Sequence, residues 1–418
     1  MTSFGEKPLK LAYIIGTYPE ITTTFIDREL RTLQDLGIKT QILSIRRPAA
    51  FVSQLPEYAK IQQQVIYLLP ANFVRLFFAH LFFALLRPRT YFGTLLFLST
   101  RPHPRGILRL KTLLHFVEGV YAAFLLRGKQ GDHLHAHFID RAALVALIVS
   151  RLLKVPYSVT AHADDIFNEP VLAVEKISEA KFTVTVSEFN RKHLLQQYPG
   201  LDAKKLHVLH PWIDLNHFKP PAARPENNSF WILSVGRLVE NKGHQFLITA
   251  CHLLHQQGLK LECNIIGRGP LKQELEALIA QYDLQEVVHL LGEQPQSEVR
   301  RLLSQSDMFA LACTVATSGD RDGMPVAIAE AMAMEIPVIS TTIVGIPEMV
   351  QPGTGFLVPE KDAEALAEAI HKIYSLERPA RIQMGKSGRA VIAEHFDLHK
   401  GVERLAVLFQ HAASGNQI

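Results

Sequence analysis

Residues 321–334 read Arg-Asp-Gly-Met-Pro-Val-Ala-Ile-Ala-Glu-Ala-Met-Ala-Met, and this stretch places two carboxylates around the start of an apolar helix. Pro325 suits a first helical position, and the residues that follow it are good helix formers. The pattern predicts a helix that begins near Met324, with Asp322 before it and Glu330 inside it. If all the residues between the two carboxylates were helical, the carboxylates would lie about 12 Å apart along the helix axis.

The start of this helix is suited to a phosphate group. Unpaired amides and the helix dipole favour negative charge there, and Gly323 lets the backbone come close to a ligand. An ionised carboxylate only accepts hydrogen bonds, so Asp322 and Glu330 could bind hydroxyl groups on either side of the phosphate. The sequence therefore predicts a nucleotide-sugar site here, with Gly323, Met324 and Pro325 in the phosphate-binding turn. The alternative is a surface helix with an acidic cap.

Strands and helices alternate regularly on both sides of this stretch. The chain has 418 residues, which exceeds a usual single domain. Near the N-terminus, a buried strand at Leu9–Ile15, an amphipathic helix at Thr24–Leu36 and a strand at Lys39–Ile45 open a parallel α/β domain. From Phe230 onward, strands are predicted at 231–235, 260–266, 287–291, 308–312, 337–341 and 355–358, each pair separated by a helix or turn.

These patterns predict an α/β protein with two Rossmann-like, doubly wound parallel-sheet domains. We place the N-terminal domain at 1–216, a proline-rich linker at 217–229, the C-terminal domain at 230–385 and a C-terminal helical segment at 386–418. Ligands of such sheets bind beyond the carboxyl ends of the strands.

The carboxylate pair carries a family resemblance. Asp322, seven residues and Glu330, followed by Ala-Met-Ala-Met-Glu-Ile-Pro-Val-Ile-Ser-Thr, resembles the Glu-x7-Glu signature of the family 4 retaining glycosyltransferases. The resemblance implies the GT-B fold, in which two such domains face a central cleft and the last helix crosses back to the first domain. It also implies that Asp322 contacts the donor sugar and Glu330 the nucleotide ribose. The chain departs from the signature at Asp322, whose side chain is shorter than Glu by about 1.5 Å.

Two cations follow the first strand of the C-terminal domain. Gly236-Arg237-Leu238 and Asn241-Lys242-Gly243 suit a diphosphate, because Arg binds as a bidentate fork and Lys as a point charge. The resemblance implies that Arg237 and Lys242 stabilise the leaving nucleoside diphosphate, which is work that a metal ion does in other glycosyltransferases. We therefore expect no metal and no cofactor. The alternative is a pair of exposed cations that cap a helix.

His162 is the fourth expected catalytic residue, beside Arg237, Lys242 and Asp322. It follows the predicted strand at 156–160 in a Thr-Ala-His context, and the resemblance places it near the reacting carbon of the donor. The alternative is a structural histidine. The loop from Gly16 to Thr24 is a weaker candidate for donor binding, and its Tyr-Pro and Thr cluster resemble a subgroup that builds exopolysaccharides such as colanic acid.

Two further turns in the C-terminal domain are candidates for donor binding. Gly267-Arg268-Gly269-Pro270 is a partial glycine fingerprint that predicts a nucleotide pocket with Arg268 at its edge. By resemblance, Glu293 lies where family members hold the base through backbone groups. Trp212 stands near a position where the family usually has glycine, and we expect it to narrow the cleft or to stack on a substrate ring.

Three histidines at alternate positions, His133, His135 and His137, suggest a metal site. In a strand they would share one face, but no carboxylate at ligand spacing completes the set, so we predict no metal there. For Asp164-Asp165 we expect helix capping. Cys251, Cys263 and Cys313 fit neither a disulfide framework nor a metal-ligand spacing, and we predict that they are core residues in a reducing compartment.

Charge is distributed unevenly along the chain. Residues 1–210 carry 26 Lys+Arg and 16 Asp+Glu, or +10, so 211–418 carry −6 of the net +4. The basic half is suited to an anionic acceptor, by resemblance a saccharide or a lipid-diphosphate-linked saccharide. Between 61 and 130 there are nine basic residues and one acid, Glu118, together with the apolar runs 76–86 and 94–98.

These apolar runs are too short to cross a bilayer, which takes about 20 residues. A helix in the headgroup layer of an anionic membrane would bury Phe77, Phe78, Phe82 and Phe83 and place Arg75, Arg87 and Arg89 on phosphates. The alternative is that these phenylalanines are core residues. Since residues 1–10 have no continuous apolar region of signal-peptide type, we expect a cytoplasmic protein, at the inner face of the cell membrane if the headgroup hypothesis holds.

Two other functions remain open from the sequence. An NAD-dependent oxidoreductase is disfavoured, because no full Gly-x-Gly-x-x-Gly follows any predicted strand. A non-catalytic nucleotide-sugar-binding protein is compatible with the Asp at 322. Nucleic-acid binding is not expected, since the basic residues alternate with Leu and Phe. The interpretation that we favour is a metal-independent retaining glycosyltransferase that moves a hexose from a UDP- or GDP-linked donor to a saccharide acceptor.

Overall fold

The computed structural model describes residues 8–20, 23–53, 56–129, 131–162, 164–167, 170–222, 224 and 229–414. It forms two compact units. Unit 1 comprises Met1–Val186, Arg191–Leu209 and His399–Ile418, and unit 2 comprises Ser187–Asn190 and His210–Leu398. Residues 1–7 of the N-terminal prediction, 21–22 of the predicted site loop and 223 and 225–228 of the predicted linker lie outside the described residues.

Unit 1 contains a seven-stranded sheet in the order β3-β2-β1-β4-β5-β6-β7, and every pairing is parallel. The strands are β1 (Lys10–Thr17), β2 (Lys39–Arg46), β3 (Val65–Tyr67), β4 (His133–His137), β5 (Tyr157–Ala161), β6 (Thr183–Thr185) and β7 (Leu206–Val208). The strand order reverses between β1 and β4, so their carboxyl ends flank the crevice where ligands of such sheets bind.

Helices cover the sheet of unit 1. They are α1 (Thr24–Asp35), α2 (Ala50–Ser53), α3 (Pro56–Gln63), α4 (Phe73–Leu86), α5 (Pro88–Thr100), α6 (Gly106–Leu126), α7 (Arg141–Leu153), α8 (Asp164–Phe167), α9 (Ala173–Glu179) and α10 (Glu188–Gln197). The apolar helix α7 is buried along most of its length and forms one core with β4 and β5. Asp140 starts this helix by accepting a hydrogen bond from the amide of Ala142 at 2.9 Å.

Unit 2 contains a six-stranded, wholly parallel sheet in the order β10-β9-β8-β11-β12-β13. The strands are β8 (Phe230–Val235), β9 (Leu261–Ile266), β10 (Val288–Gly292), β11 (Met308–Ala310), β12 (Val338–Thr341) and β13 (Gly355–Val358). The order reverses between β8 and β11, which makes the carboxyl end of β8 the expected ligand position.

The helices of unit 2 are α11 (His244–Gln256), α12 (Lys272–Gln281), α13 (Gln296–Gln305), α14 (Val326–Ala333), α15 (Ile346–Met349), α16 (Ala363–Tyr374) and α17 (Arg378–His395). Cys251 and Cys263 lie in the core of this unit, and Cys313 is also buried, which confirms the prediction of free core cysteines. The last helix, α18 (Leu398–Ser414), belongs almost entirely to unit 1, where Phe409 packs against Tyr13, His133, His135 and Phe182.

The helices α4, α5 and α6 leave a large apolar surface exposed. Among its members, Phe73 is 82% exposed, Phe77 65% and Leu86 68%. Within the described residues no single helix is long and apolar enough to cross a membrane, although α4 and α5 pass that test as a pair bent by 108°. An open groove of about 820 Å³ runs along this surface, with arginines and apolar residues in its lining: Arg75, Phe78, Leu81, Phe82, Leu85, Leu86, Phe124, Leu125 and Arg127.

Phe83 and Arg87 do not lie where the prediction of a headgroup helix places them. Phe83 is fully buried in the core of unit 1, because α4 packs that face against α6. The guanidinium of Arg87 donates to the carbonyl oxygen of Leu152 at 3.0 Å, where it satisfies the end of α7. The predicted apolar face therefore loses Phe83 to the core, while Phe77 and Phe78 remain exposed.

Candidate active site

The turns after β8 and β9 are joined by backbone hydrogen bonds. The amide of Gly236 donates to Ile266 O at 3.0 Å, and the amide of Leu238 donates to Arg268 O at 3.1 Å. Gly267 has a φ of +155°, and a Cβ there would lie 1.9 Å from Gly236 O, so no other residue fits between the two turns. The structure thus brings Arg237 and Arg268 to neighbouring strand ends, where both side chains are exposed.

Lys242 is positioned by a tight turn beneath β11. A 3-10 turn at Glu240–Lys242 ends at Gly243, whose φ is +63°. A Cβ on Gly243 would lie 1.8 Å from Ala312 O, so the absence of a side chain lets this turn reach the chain that leaves β11. The ammonium of Lys242 then forms an ion pair with Asp322.

The ion pair keeps Lys242 charged in a buried position. Burial is the largest influence and lowers the pKa of Lys242, but the charge of Asp322, the neighbouring Cys313 and the hydrogen bond to Asp322 together outweigh it, so the pKa lies above its ordinary value. A desolvated ammonium with one carboxylate partner is suited to bind a second anion, because its field is weakly screened. Two candidate catalytic residues from distant parts of the sequence therefore meet at one point.

Hydrogen bonds along the loop 314–322 fix the position of Asp322. Thr317 donates to Glu240 Oε1 through its amide at 2.8 Å and its hydroxyl at 2.6 Å. Asn241 donates to Asp320 Oδ2 at 2.8 Å. These contacts join the loop to the 3-10 turn, so Asp322 and Lys242 are held in place by backbone on both sides.

The helix after Asp322 starts later than predicted. Helix α14 begins at Val326, and Pro325 is its N-cap, with an extended backbone at φ −62° and ψ 114°. Gly323 O accepts from the amide of Gly345 at 3.0 Å, so the segment before Pro325 is bound to a neighbouring loop and is not helical. The predicted separation of about 12 Å between the carboxylates of Asp322 and Glu330 does not apply, because the residues between them are not all helical.

The remaining members of the predicted binding turn differ in exposure. Gly323, Met324 and Pro325 are buried, and the side chain of Met324 packs beside Gly345. Glu330 lies in the second turn of α14 and is half-buried, whereas Glu293 is exposed immediately after β10. The predicted helix start is therefore displaced to Val326, and the binding of a ligand by this turn stays a prediction.

Two buried residues near Lys242 carried no sequence signal. His244, the first residue of α11, lies under the Gly236 turn, and burial and the charge of Lys242 lower its pKa to about 4. Burial raises the pKa of the Cys313 thiol to about 12, although Lys242 acts to lower it. Both are neutral at pH 7, so Lys242 and Asp322 are the charged members of this cluster.

In unit 1, Gly16 lies near the carboxyl end of β1 and His162 follows β5, and β4 lies between these two strands. Strand β1 continues to Thr17, so Gly16 does not end the strand as expected, and a Cβ there would meet nothing within 4 Å. His162 follows β5 directly and is half-buried. Burial and the neighbouring His137 keep the pKa of His162 well below its ordinary value, so its ring is neutral at pH 7.

Asp165 anchors the turn at His162. Its carboxylate accepts from the amide of His162 at 2.7 Å and from the amide of Ile139. Both amides lie outside α8, so these bonds join His162 to the segment after β4, and helix capping by Asp164-Asp165 stays a prediction. Burial raises the pKa of Asp165 to about 7, although both backbone hydrogen bonds act to lower it.

The three histidines of β4 are all buried on one face, as the alternation predicts. The prediction that no carboxylate completes the set is wrong, since α1 brings Glu29 within 4.8 Å of His135 and His137. Both ring nitrogens of His135 already have hydroxyl partners, however: Nδ1 lies 2.8 Å from Ser158 Oγ and Nε2 lies 3.1 Å from Thr160 Oγ1. We therefore interpret the cluster as a hydrogen-bonded network.

Trp212 does not fit its predicted role of stacking on a substrate. The indole is 8% exposed, which leaves too little of the ring surface available for a sugar or a base. Its neighbour Ile213 pairs with Asp397 in an isolated parallel bridge, and this contact holds the segment against the end of α17. Trp212 is therefore a packing residue.

Two family models match consecutive parts of the chain. The model described as Glycosyltransferase Family 4 matches residues 23–217, and the model described as Glycosyl transferases group 1 matches residues 217–391. Together they cover residues 23–391, which include β2–β13 and the whole site around Lys242.

Curated relatives and solved structures agree with these models. AmsK of Erwinia amylovora, an amylovoran biosynthesis glycosyltransferase, is 37% identical over 215 residues, 51% of this chain and 53% of the relative. WcaL of Escherichia coli, a protein assigned as a colanic acid biosynthesis glycosyltransferase, matches with the same figures. The chain spans about half the length of these curated relatives.

The fold of the whole chain is found in solved structures. HepE of Anabaena, solved in complex with UDP, superposes with a TM-score of 0.71 at 16% identity, over 96% of this chain and 100% of that chain. At this identity the likeness shows the fold alone, and it confirms the predicted class of two Rossmann-like parallel-sheet units of the GT-B type.

Proposed function

Because the chain belongs to the family 4 glycosyltransferases, we propose that it is a retaining enzyme that moves a hexose from a nucleotide-sugar to a saccharide or lipid-linked saccharide acceptor. The donor carries UDP or GDP, and the product enters a bacterial polysaccharide. Support for the polysaccharide comes from the names of the two relatives, which concern colanic acid and amylovoran.

The observation that carries this proposal is the ion pair of Lys242 and Asp322 at the carboxyl end of β8. Lys242 and the exposed Arg237 would bind the diphosphate, and their positive charges would stabilise the leaving group as its charge develops. Asp322 would accept hydrogen bonds from the donor sugar, and Glu330 from the ribose. Two cations at the diphosphate do the work of a metal ion, so we propose a metal-independent reaction.

His162 would contact the donor sugar from unit 1. Its half-buried ring is neutral and can accept or donate a hydrogen bond at a sugar hydroxyl. Retention of configuration is proposed from the family, with the acceptor attacking on the face that the diphosphate leaves and the departing phosphate helping to take its proton. Arg268 and Glu293 would border the nucleotide pocket.

The exposed apolar surface of α4–α6 supports a peripheral membrane location for this reaction. It combines apolar side chains, among them Phe77 and Leu86, with arginines at the groove, which include Arg75 and Arg127. Apolar groups surrounded by cations complement the interface of an anionic bilayer. We propose that unit 1 lies on the cytoplasmic face of the cell membrane, where a lipid-diphosphate acceptor would be found.

A ligand panel tests the function directly. The protein is heated with UDP, GDP, NAD and a set of UDP- and GDP-sugars, and donor hydrolysis is followed in parallel without divalent metal. We expect one nucleoside diphosphate and its sugar to raise the melting temperature and the sugar to be hydrolysed in the presence of EDTA. Protection by NAD alone would favour the oxidoreductase, and protection without turnover of any donor would favour a binding protein.

A further inference from the structure

Four side chains of unit 1 form a hydrogen-bonded line that ends at His162. The hydroxyl of Tyr13 donates to Glu29 Oε1 at 2.5 Å, and the same oxygen lies 3.3 Å from Nε2 of His137. Nδ1 of His137 lies 3.3 Å from Nε2 of His162. The first three residues are buried and His162 is half-buried, so the line runs from the core to the side chain proposed to contact the donor.

The local sequence explains why these groups meet. Phe25 and Glu29 are one turn apart on α1 and therefore lie on the same face of that helix. Phe25 packs on the ring of His162 with a centroid distance of 5.0 Å, and Phe138 packs on it at 4.5 Å. The rings of His137 and His162 are stacked at 5.6 Å. The imidazole of His162 is therefore held by rings as well as by a hydrogen bond.

The chemistry of the line fixes one arrangement of protons when both imidazoles are neutral. An ionised carboxylate only accepts, so Nε2 of His137 carries its hydrogen toward Glu29. Nδ1 of His137 then has only a lone pair and must accept from Nε2–H of His162. The remaining nitrogen, Nδ1 of His162, is left as a hydrogen-bond acceptor for a sugar hydroxyl.

From this geometry we infer that Glu29 and His137 are positioning residues that set the ring orientation and the tautomer of His162. The inference rests on the proposed function only for the role of His162 toward the donor. Neither residue touches the donor in this scheme, and their effect on transfer passes through the His162 ring.

The charged and titratable groups around this ring come from four elements: Tyr13 on β1, Glu29 on α1, His135 and His137 on β4, and Asp165 on α8. Asp165 binds the backbone amide of His162, and the ring nitrogens of His135 are engaged with Ser158 and Thr160. Glu29 is thus the group that orients the line.

Nitrogen-15 NMR of histidine-labelled protein tests the inference without requiring activity. We expect His162 to show a protonated Nε2 and an unprotonated Nδ1 at pH 7.5, and we expect Glu29→Gln to remove or invert this preference, because an amide can donate to His137. A wild-type His162 with its proton on Nδ1, or a preference that Glu29→Gln leaves unchanged, would overturn the assignment. His133→Gln is the matched control, since His133 lies on the same buried face but bonds Ser158.

Kinetics test the consequence for transfer. We expect Glu29→Gln to lower kcat by at least about tenfold, with the donor KM within twofold of wild type. In a His162→Ala background, Glu29→Gln should lower kcat by no more than about twofold, because the imidazole through which Glu29 acts is absent. An equal loss in both backgrounds would show a general structural effect and overturn the inference.

A second variant covers the case in which Glu29→Gln does not fold. His137→Phe fills the same space and removes both hydrogen bonds, so the expected NMR change and loss of kcat are the same. If no donor is turned over by the wild-type protein, the proposed function fails. The NMR measurement of the His162 tautomer still tests the positioning role of Glu29 and His137.

Discussion

The ammonium of Lys242 meets the carboxylate of Asp322 across 80 residues of sequence. The side chains are 13% and 23% exposed, so the pair is partly desolvated and its charges act strongly on a bound anion. Backbone turns on both sides hold the two residues, which gives a diphosphate a preformed cation next to an acid that can bind a sugar.

Removing the Lys242 charge should remove diphosphate binding. Lys242→Met keeps most of the stem but has no ammonium, and we expect the affinity for the preferred nucleoside diphosphate to fall by about 30-fold or more, which corresponds to about 2 kcal/mol. The measurement is isothermal titration, with Lys272→Met as control, because Lys272 is 59% exposed on α12. An unchanged affinity of Lys242→Met for the nucleoside diphosphate would show that the diphosphate does not bind at Lys242.

The two carboxylates should affect different parts of the donor. Asp322→Asn is expected to leave the nucleoside diphosphate affinity within about threefold and to reduce transfer by about 100-fold, because it faces the sugar. Glu330→Gln should weaken the nucleoside diphosphate itself by about tenfold, because it faces the ribose. Titrations with the diphosphate and rates with the sugar donor separate the two, and the reverse pattern would exchange the assigned roles.

Gly243 should tolerate no side chain. Gly243→Ala places a methyl group against Ala312 O, and we expect a loss of about 2–4 kcal/mol in the free energy of unfolding. Gly258→Ala is the matched control: its φ of +80° is also left-handed, but nothing lies within 4 Å, so the cost should be about 1 kcal/mol. Urea unfolding measures both. Equal losses of unfolding free energy in the two variants would show that the turn at Gly243 moves to accommodate the methyl group.

Stability should depend on pH through His244. Its folded pKa of about 4 lies below the ordinary 6.5. Between these two values the unfolded chain binds a proton at His244 and the folded protein does not. Its contribution is complete above pH 6.5 and is lost as the pH falls toward 4, by up to about 3 kcal/mol. His244→Gln should therefore lose less stability than wild type over this range in urea titrations. His255→Gln, exposed on the same helix, should behave as wild type.

The sequence predicted the strands well, because parallel sheets buried on both faces are built from short apolar runs with clear ends. The predicted helical segment at 386–418 includes the second half of α17 but not its first half from Arg378, because Gly385 and Gly388 weaken the helical pattern. Gly385 is nevertheless required, since a Cβ there would lie 2.0 Å from Glu335 O. Local propensity was overridden by close packing.

The candidate site residues that lie next to a strand end or a helix start could be predicted from the sequence. Contacts between residues far apart in the sequence could not. Arg237, Lys242 and Asp322 follow strands or precede a helix, and those positions are visible in the sequence. Glu29 reaches His137 only because α1 packs beside β4, and the two residues are 108 positions apart. No spacing rule predicts that contact. Likewise, the start of α14 was misplaced because Pro325 is held extended as an N-cap.

Unit 1 should bind anionic membranes through the surface of α4–α6. We expect the wild-type protein to sediment with vesicles of phosphatidylcholine and phosphatidylglycerol, less so at high salt, and weakly with phosphatidylcholine alone. Replacing Phe77 and Phe78, 65% and 54% exposed, by serine removes two rings that would enter the interface. The partition coefficient should fall by roughly 30-fold or more, or about 2 kcal/mol.

Ile382→Ser is the control for this experiment, because Ile382 is 40% exposed in unit 2 and lies outside the proposed surface. It should bind vesicles as wild type does. Since the two phenylalanines lie on a face that α6 leaves open, their replacement should not lower the melting temperature, which separates lost membrane contact from lost folding. Equal sedimentation of the double variant, or equal binding to neutral and anionic vesicles, would contradict the membrane proposal and leave the glycosyltransferase site untouched.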